Sequence, residues 1–228
     1  MKSRNKNQSK AGEFGKIKPV STPEKSKEIN EIVSFFKTLA MLLVLAIFLR
    51  ASVVEAYKIP SGSMIPTLLE GDHILVSKLS YGFRLPFIKK TIYLYDMPQR
   101  GDVVVFSRPD DPSTPFEDES KINIIKRVIG LPGDKVEVRN RQVYINDKPL
   151  HEDYAIWGRG GAPEGNFGPG IVPEGHVFLL GDNRDFSKDS RFWHNGHYLP
   201  INLIKGRALF IYWSWATPIT ERIGKIIR

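Results

Sequence analysis

The sequence INIIKRVIGLPGDKVEVRN, residues 122–140, consists of two runs rich in Ile and Val on either side of a Pro-Gly-Asp turn. β-Branched residues and the alternation of apolar with polar residues are typical of strands, and Gly-Asp is typical of the turns between them. Comparable runs, most of them next to a Gly-Asp turn, lie at 73–81, 102–107, 142–146, 176–182 and 208–215. Frequent short strands of this kind predict a mostly β fold.

One long apolar run precedes the predicted strands. Residues 32–49 read IVSFFKTLAMLLVLAIFL, and as a helix they would span about 27 Å, close to the thickness of a hydrocarbon core. We expect the helix to continue through RASVVEAY to Tyr57. The sequence therefore predicts a single transmembrane anchor at 32–56. A cleaved leader is the open alternative, because the VEA segment at 54–56 has small residues at its outer positions, as cleavage sites do.

The net charge of +8 is concentrated at the N-terminus. Residues 1–31 hold eight Lys/Arg and four Glu, whereas residues 58–228 hold 23 basic and 20 acidic side chains. Because Lys and Arg are enriched on the cytoplasmic side of membrane anchors, we expect the tail 1–31 in the cytoplasm and the domain 57–228 outside it. The nearly balanced charge of that domain argues against nucleic acid as a partner.

Lys126 stands on an apolar face of the run at 122–130. Side chains alternate faces along a strand, so Lys126 shares its face with Ile122, Ile124 and Val128. Such a lysine either reaches solvent at an edge or is buried, and burial lowers its pKa because it penalises the charged amine. A neutral amine can act as general base toward a serine hydroxyl, in the Ser–Lys variant of the Ser–His–Asp arrangement.

Two serines, Ser61 and Ser63, follow the predicted anchor between Pro60 and Pro66. A linker turn is the simpler interpretation, because Pro, Ser and Gly favour turns, and a serine nucleophile is the other. The segment GDNRDFSKDSR, residues 181–191, is dense in small polar and charged side chains. It predicts a loop held by Asx turns and ion pairs, of the kind that can support a site.

Other patterns that suggest catalytic or metal chemistry are weaker. His194 and His197 have the spacing of metal ligands but lack a nearby set of carboxylates, so surface positions are favoured. Ser34 and Lys37 match an S-x-x-K motif, but they lie inside the predicted anchor and the chain has no K-T-G partner. The chain has no cysteine, which excludes disulfides, thiolate catalysis and cysteine-based metal sites.

Three segments are expected at the surface of the domain. The stretch 108–120 is acidic and rich in proline, and the stretch 157–175 holds seven glycines, so both predict exposed loops. The stretch YGFRLPFIKK, residues 81–90, mixes aromatic and basic residues. It suits either the headgroup layer of a membrane or ordinary core packing.

The chain resembles bacterial type I signal peptidases in three blocks, which follow the anchor in the order of that family. The blocks are IPSGSMIPTLLEGDHILVSK at 59–78, IIKRVIGLPGDKV at 124–136 and GDNRDFSKDSRFW at 181–193. The resemblance implies a mostly β catalytic core with a smaller β extension at about 137–176, and no metal or cofactor. It also implies a single-pass protein of the inner (cytoplasmic) membrane, whose substrates are the signal peptides of exported preproteins, cut after small residues of the Ala-x-Ala type.

The same resemblance implies roles for individual residues. Ser63 matches the nucleophile and Lys126 the general base. Ser61 matches the oxyanion-hole hydroxyl that works with the backbone N–H of Ser63, and Ser187 matches the serine that bonds and orients the lysine. The positions implied for ion pairs near the site are Arg127, Asp182, Arg184, Asp189 and Arg191. The positions implied for the shallow substrate pockets are Ile59, Pro60, Met64, Leu68, Ile124 and Ile125.

Two departures from the larger members of that family are a single anchor in place of two and a short insertion between the second and third blocks. The main alternative of another class is a membrane-anchored, non-catalytic peptide-binding domain on the same scaffold, which would lack Ser63 or Lys126. A self-cleaving repressor would share the Ser–Lys chemistry, but such proteins are soluble and bind DNA, and the anchor argues against this reading.

Overall fold

The computed structural model describes residues 23–83, 93–107, 123–158, 165–193 and 196–228. These residues form two α-helices, α1 (Pro23–Ser52) and α2 (Ile219–Arg222). Their strands are β1 (Val54–Lys58), β2 (Asp72–Ser77), β3 (Gly82–Phe83), β4 (Tyr93–Leu94), β5 (Val103–Ser107), β6 (Asn123–Gly130), β7 (Lys135–Arg139), β8 (Gln142–Ile145), β9 (Lys148–Pro149), β10 (Phe167–Ile171), β11 (His176–Leu180), β12 (Leu199–Pro200) and β13 (Ile204–Ser214). The prediction of a mostly β fold after one N-terminal apolar helix is confirmed.

The helix α1 is long and apolar enough to cross a membrane. Its apolar segment is Lys27–Ile47, 21 residues that extend about 31 Å and carry exposed side chains. The chain divides into two compact units, and the boundary lies within α1 between Leu45 and Ala46. The domain limits expected at residues 31/32 and 56/57 stay predictions.

The C-terminal end of α1 differs from the expectation. The helix ends at Ser52, so the prediction that it continues to Tyr57 is wrong. Val54–Lys58 forms β1 instead and pairs with β2 along its whole length, from Val54 opposite Ser77 to Lys58 opposite His73. Two consecutive β-branched residues, Val53 and Val54, favour the strand, and the pairing satisfies the backbone groups that the helix would otherwise bond.

A seven-stranded antiparallel sheet forms the body of the second unit, in the order β1-β2-β13-β5-β6-β11-β12. In β2 the buried and half-buried side chains alternate, which puts Ile74 and Val76 on the core side. They pack with Val105, Ile125 and Ile211 of neighbouring strands in one apolar cluster. The alternation of faces along β2 thus places its apolar side chains in the core.

The strand β6 has different neighbours along its two halves. It pairs with β5 from Asn123 to Arg127, whereas its pairs with β11 involve Arg127, Val128 and Gly130. Within the described residues, the first half of β6 therefore has one edge without a strand partner. This free edge adjoins Lys126, so the local topology leaves room for another extended chain beside it.

Smaller sheets complete the fold. Four strands in the order β10-β7-β8-β9 form the expected β extension, and β3 pairs with β4. The strand β10 lies inside the glycine-rich stretch 157–175, which we expected to be a surface loop throughout; pairing with β7 explains the difference. The extent of a separate lobe at 137–176 stays a prediction.

Some expectations fall on residues outside the described ranges. These residues are 1–22, 84–92, 108–122, 159–164 and 194–195. They include most of the basic tail, most of YGFRLPFIKK, the acidic stretch, Ile122 and His194.

Candidate active site

The structure brings Ser63 and Lys126 into direct contact. Ser63 lies in a 3-10 helix of one turn, Gly62–Met64, and Lys126 lies on β6. The Nζ atom of Lys126 is 2.8 Å from Oγ of Ser63, within hydrogen-bond distance. Nζ also donates to the carbonyl oxygen of Ile125 at 2.9 Å. Two side chains 63 positions apart in the sequence thus share one hydrogen bond.

Lys126 is buried, with 4% of its surface exposed, so of the two alternatives open for this side chain the buried one is observed. Burial lowers its pKa from 10.5 to about 8, because the charged amine loses its hydration. The carboxylates of Asp189 and Asp182 oppose this effect by favouring the charged form. About a tenth of the amine is therefore neutral at pH 7, in the form that a general base requires.

Asn183 holds the turn that carries Ser63. Its side-chain Nδ2 donates to the carbonyl oxygen of Gly62 at 3.1 Å, and its backbone N–H donates to that of Ser63 at 3.1 Å. The side chain of Met64 is fully buried in the core and fixes the other end of the turn. Ser61, just before the turn, is exposed and makes no capping hydrogen bond. The sequence analysis missed Asn183, although it belongs to the polar segment 181–191.

The hydroxyl of Ser187 does not make the hydrogen bond that was expected of it. Its Oγ is buried but has no hydrogen-bond partner in the described residues, so the implied bond to Lys126 is not formed in this structure. The hydroxyl lies against Gly181 instead: a Cβ at that position would be 2.2 Å from Oγ of Ser187 and 2.6 Å from the carbonyl oxygen of Ser63. Residue 181 must therefore be glycine for the two segments to approach this closely.

An ion pair is buried beside the dyad. Arg127 and Asp182 are both fully buried, and the guanidinium donates to the carboxylate through Nε at 2.8 Å and NH2 at 2.6 Å. Two further donors of Arg127 bond the carbonyl oxygen of Gly101 and the hydroxyl of Thr67. Its guanidinium also stacks on the ring of Tyr154, 3.8 Å from the centroid. Four of the five N–H groups of Arg127 and both carboxylate oxygens of Asp182 are thus hydrogen-bonded, which helps a buried charge pair to be tolerated.

Two further ion pairs fix the backbone around residues 181–191. Arg184 forms a two-pronged pair with Glu152, at 2.9 and 2.6 Å, and its Nε donates to the carbonyl oxygen of Gly181. Asp189 forms a similar pair with Arg191, at 2.8 and 2.9 Å, and accepts the N–H of Gly181. All the residues expected in ion pairs near the site are paired. The partner of Arg184, Glu152, was missed, because nothing in its local sequence distinguishes it from an ordinary surface glutamate.

A cleft of about 470 Å³ opens between β1 and the strands β5 and β6. Its lining includes residues 55–60, Val105, Asn123 and Ile125. Of the six side chains implied for substrate pockets, Ile59, Pro60 and Ile125 lie on this cleft. The other three, Met64, Leu68 and Ile124, do not line it.

Met64, Leu68 and Ile124 lie away from the cleft for two different reasons. Met64 and Leu68 are fully buried in the same apolar cluster as Ile59. Ile124 packs on the opposite side of β6, because neighbours in a strand face opposite ways.

Within the described ranges, no group of three or more His, Asp or Glu side chains is arranged to hold a metal ion. The ring nitrogen Nδ1 of His197 lies 2.7 Å from the carbonyl oxygen of Ser190, and the ring packs against Phe167. The chemistry that the site offers is therefore that of a serine hydroxyl and a buried amine.

Comparisons with known proteins identify the family of this chain. Residues 32–213 match the family described as "Signal peptidase, peptidase S26". The Signal peptidase I of Pseudomonas fluorescens is 36% identical, over 90% of this chain and 81% of its own length. That of Leptolyngbya laminosa is 38% identical, over 88% of this chain and 86% of its own. A crystal structure of a signal peptidase I from Enterococcus faecalis V583 is 30% identical and covers 49% of this chain and 97% of its own, with a TM-score of 0.38. On the family match and the sequence relatives, the chain belongs to the signal peptidase family, peptidase S26, and is a serine peptidase.

Proposed function

We propose that this protein is a membrane-bound serine endopeptidase that removes N-terminal signal peptides from exported preproteins by a Ser–Lys dyad. The observation that carries the proposal is the 2.8 Å contact between Nζ of Lys126 and Oγ of Ser63. Lys126 is buried, so water does little to stabilise its charged form. The relatives named Signal peptidase I support the choice of substrate. In this proposal Ser63 is the nucleophile and Lys126 the general base.

The proposed chemistry begins with the neutral amine. The carbonyl oxygen of Ile125 accepts one N–H of Lys126, which leaves the lone pair of the amine for the hydroxyl proton of Ser63. As Lys126 takes that proton, Oγ of Ser63 attacks the scissile carbonyl carbon and the carbonyl oxygen becomes an oxyanion. The hydroxyl of Ser61 and the N–H of Ser63 would stabilise this charge.

The second half of the reaction returns the site to its starting state. The ammonium of Lys126 gives its proton to the departing amine, so the peptide bond breaks and an acyl-enzyme on Ser63 remains. A water molecule then loses a proton to Lys126 and attacks the ester carbonyl. Loss of the acid product regenerates the serine hydroxyl and the neutral amine.

The cleft, whose lining ends at Pro60 three residues before Ser63 and includes Ile125 next to Lys126, suits an extended peptide. It lies between β1, at one edge of the seven-stranded sheet, and the half of β6 that lacks a second strand partner. Backbone groups at such edges can bond a peptide as an added strand. Residues one and three before the cut would then face the same side, toward the apolar floor formed by Ile59 and Ile125. In this proposal the space over that floor admits small side chains and excludes large ones, which would give the Ala-x-Ala preference.

The proposal includes a topology. The tail 1–31 lies in the cytoplasm, residues 32–56 cross the inner membrane once, and the catalytic domain 57–228 faces the other side, with a smaller lobe at about 137–176. The excess of Lys and Arg before the helix supports this orientation.

The test is cleavage of a purified preprotein whose signal peptide ends in Ala-x-Ala by the full chain in detergent. We expect a single cut after the second alanine, identified by N-terminal sequencing of the product, and no cut by the Ser63→Ala variant. Cleavage that persists in Ser63→Ala, or a cut at an unrelated position, would refute the proposed mechanism.

A further inference from the structure

Phe186 is the most exposed of the large apolar side chains in the described residues. Its exposed fraction is 76%, although its neighbours Arg184 and Ser187 are 1% and 4% exposed. An isolated exposed apolar residue is common, but this one follows directly on the segment that holds the nucleophile. Its position relative to Ser63 therefore decides what it can contact.

The backbone around Phe186 is rigidly held. Its own N–H donates to the carbonyl oxygen of Asn183, which closes the 3-10 turn. The N–H of Arg184 donates to the carbonyl oxygen of Ile156, and the carbonyl oxygen of Arg184 accepts from the guanidinium of Arg191 at 2.6 Å. Because the backbone of this turn is already fixed, contact with a partner costs only the rotamer freedom of the Phe186 side chain.

The turn lies next to the reacting serine. The N–H of Asn183 bonds the carbonyl oxygen of Ser63, and Phe186 follows three residues later in a 3-10 turn, a rise of about 6 Å. The cleft lining comes from β1, β2, β5 and β6 and their flanks and includes no residue of 181–192. If the cleft receives the residues before the cut, the chain that continues past Ser63 must leave the cleft, and Phe186 belongs to the segment outside the cleft that bonds Ser63 through Asn183.

We infer that Phe186 contacts an apolar side chain within the first three residues after the cut, and that it selects for preproteins with an apolar residue there. This inference rests on the proposed function of Ser63. Three extended residues reach about 10 Å, and Phe186 lies one 3-10 turn beyond Asn183, whose N–H bonds Ser63. The contacted residue leaves with the amine product, so the contact acts on formation of the acyl-enzyme and has no part in its hydrolysis.

The experiment uses the full chain in detergent and peptides that share one sequence up to the cut and carry Leu or Ser at the first, second or third position after it. At one of these positions we expect wild type to prefer Leu in kcat/KM by about tenfold, which corresponds to about 1.4 kcal/mol. Phe186→Ser should lose this preference, and Phe186→Leu should keep it. The control Ile171→Ser removes a side chain that is 68% exposed on β10 and should keep it as well.

A methyl ester of the same acyl peptide separates this contact from a structural effect. The ester has no residue after the cut, so wild type and Phe186→Ser should hydrolyse it at the same rate. A parallel fall of ester and peptide hydrolysis in Phe186→Ser would assign the ring a structural role and overturn the inference.

Three other outcomes would also overturn it, for distinguishable reasons. If wild type cleaved none of the peptides, the proposed function would fail and the inference with it. If wild type cleaved them and Phe186→Ser kept the same Leu-to-Ser ratio, only the contact would be wrong. If Phe186→Ser impaired cleavage of preproteins in lipid vesicles but not of peptides in detergent, the ring would contact the bilayer rather than the substrate.

Discussion

Raising the pH should convert Lys126 from an inactive to an active form, because only the neutral amine can take the proton from Ser63. The pKa of Lys126 is lowered to about 8 by burial. About a tenth of the molecules then carry the neutral amine at pH 7, and about nine tenths carry it at pH 9. We therefore expect kcat/KM to rise about tenfold between pH 7 and pH 9 and to level off above that.

The lowered pKa of Lys126 also makes the stability of the fold depend on pH. In the unfolded chain the amine has its ordinary pKa of 10.5, so between pH 10.5 and pH 8 the unfolded state binds a proton that the folded state does not. The free energy of unfolding should fall by about 3 kcal/mol as the pH drops through this window, at about 1.4 kcal/mol per pH unit, and change no further below it. Lys126→Met should lack this loss and be at least as stable as wild type at pH 7.

The assay is hydrolysis of a fluorogenic Ala-x-Ala peptide from pH 6 to pH 11, with urea unfolding of wild type and Lys126→Met at pH 7 and pH 10. Lys126→Arg is the matched control, because a guanidinium stays charged and should be inactive at every pH. A rate that keeps rising tenfold per pH unit beyond pH 9 would show an ordinary lysine. Substantial activity in Lys126→Arg would show that residue 126 is not the base.

Three further experiments test the two serines, the buried ion pair and the orientation in the membrane. Ser63→Ala should abolish turnover of the peptide, whereas Ser61→Ala should lower kcat by about 10²–10³, the effect of one oxyanion hydrogen bond; equal small losses at both would contradict the assignment. Asp182→Ala should lower the free energy of unfolding by about 3–5 kcal/mol, measured with urea, because it leaves the charge of Arg127 buried and unpaired. Adding Arg127→Met to that variant should restore part of the loss, and a double variant that is less stable still would refute the explanation. In sealed right-side-out vesicles, added protease should spare the tail 1–31. Digestion of the tail would show that the orientation is the opposite of the one proposed.

Much of the fold could be predicted because it depends on local patterns. The β-branched runs identify the strands, and the alternation of faces along β6 places Lys126 on the face of Ile124 and Val128, although both faces of that strand are buried. The start of β1 could not be found in this way. Val54–Lys58 continues an apolar helix in sequence, and the preference of Val53 and Val54 for a strand is too weak to decide without the pairing with β2.

The candidate site was harder to predict beyond its motifs, because its supports are far apart in sequence. Glu152 and Asn183 acquire their roles from partners 32 and 121 positions away, respectively. Met64 and Leu68 are apolar residues beside the nucleophile, so a lining role was a reasonable expectation. Their side chains instead point into the core, which depends on packing from β2 and β13 that local sequence does not reveal.

The order of strands in the main sheet bears on when the protein can first act during its own biosynthesis. The strand β13 lies between β2 and β5, although it follows both in the chain. A nascent chain that already contains Ser63 and Lys126 thus lacks the strand that joins the two halves of the sheet on which they depend. We therefore expect the sheet that supports Ser63 and Lys126 to be completed only after this late segment has left the ribosome.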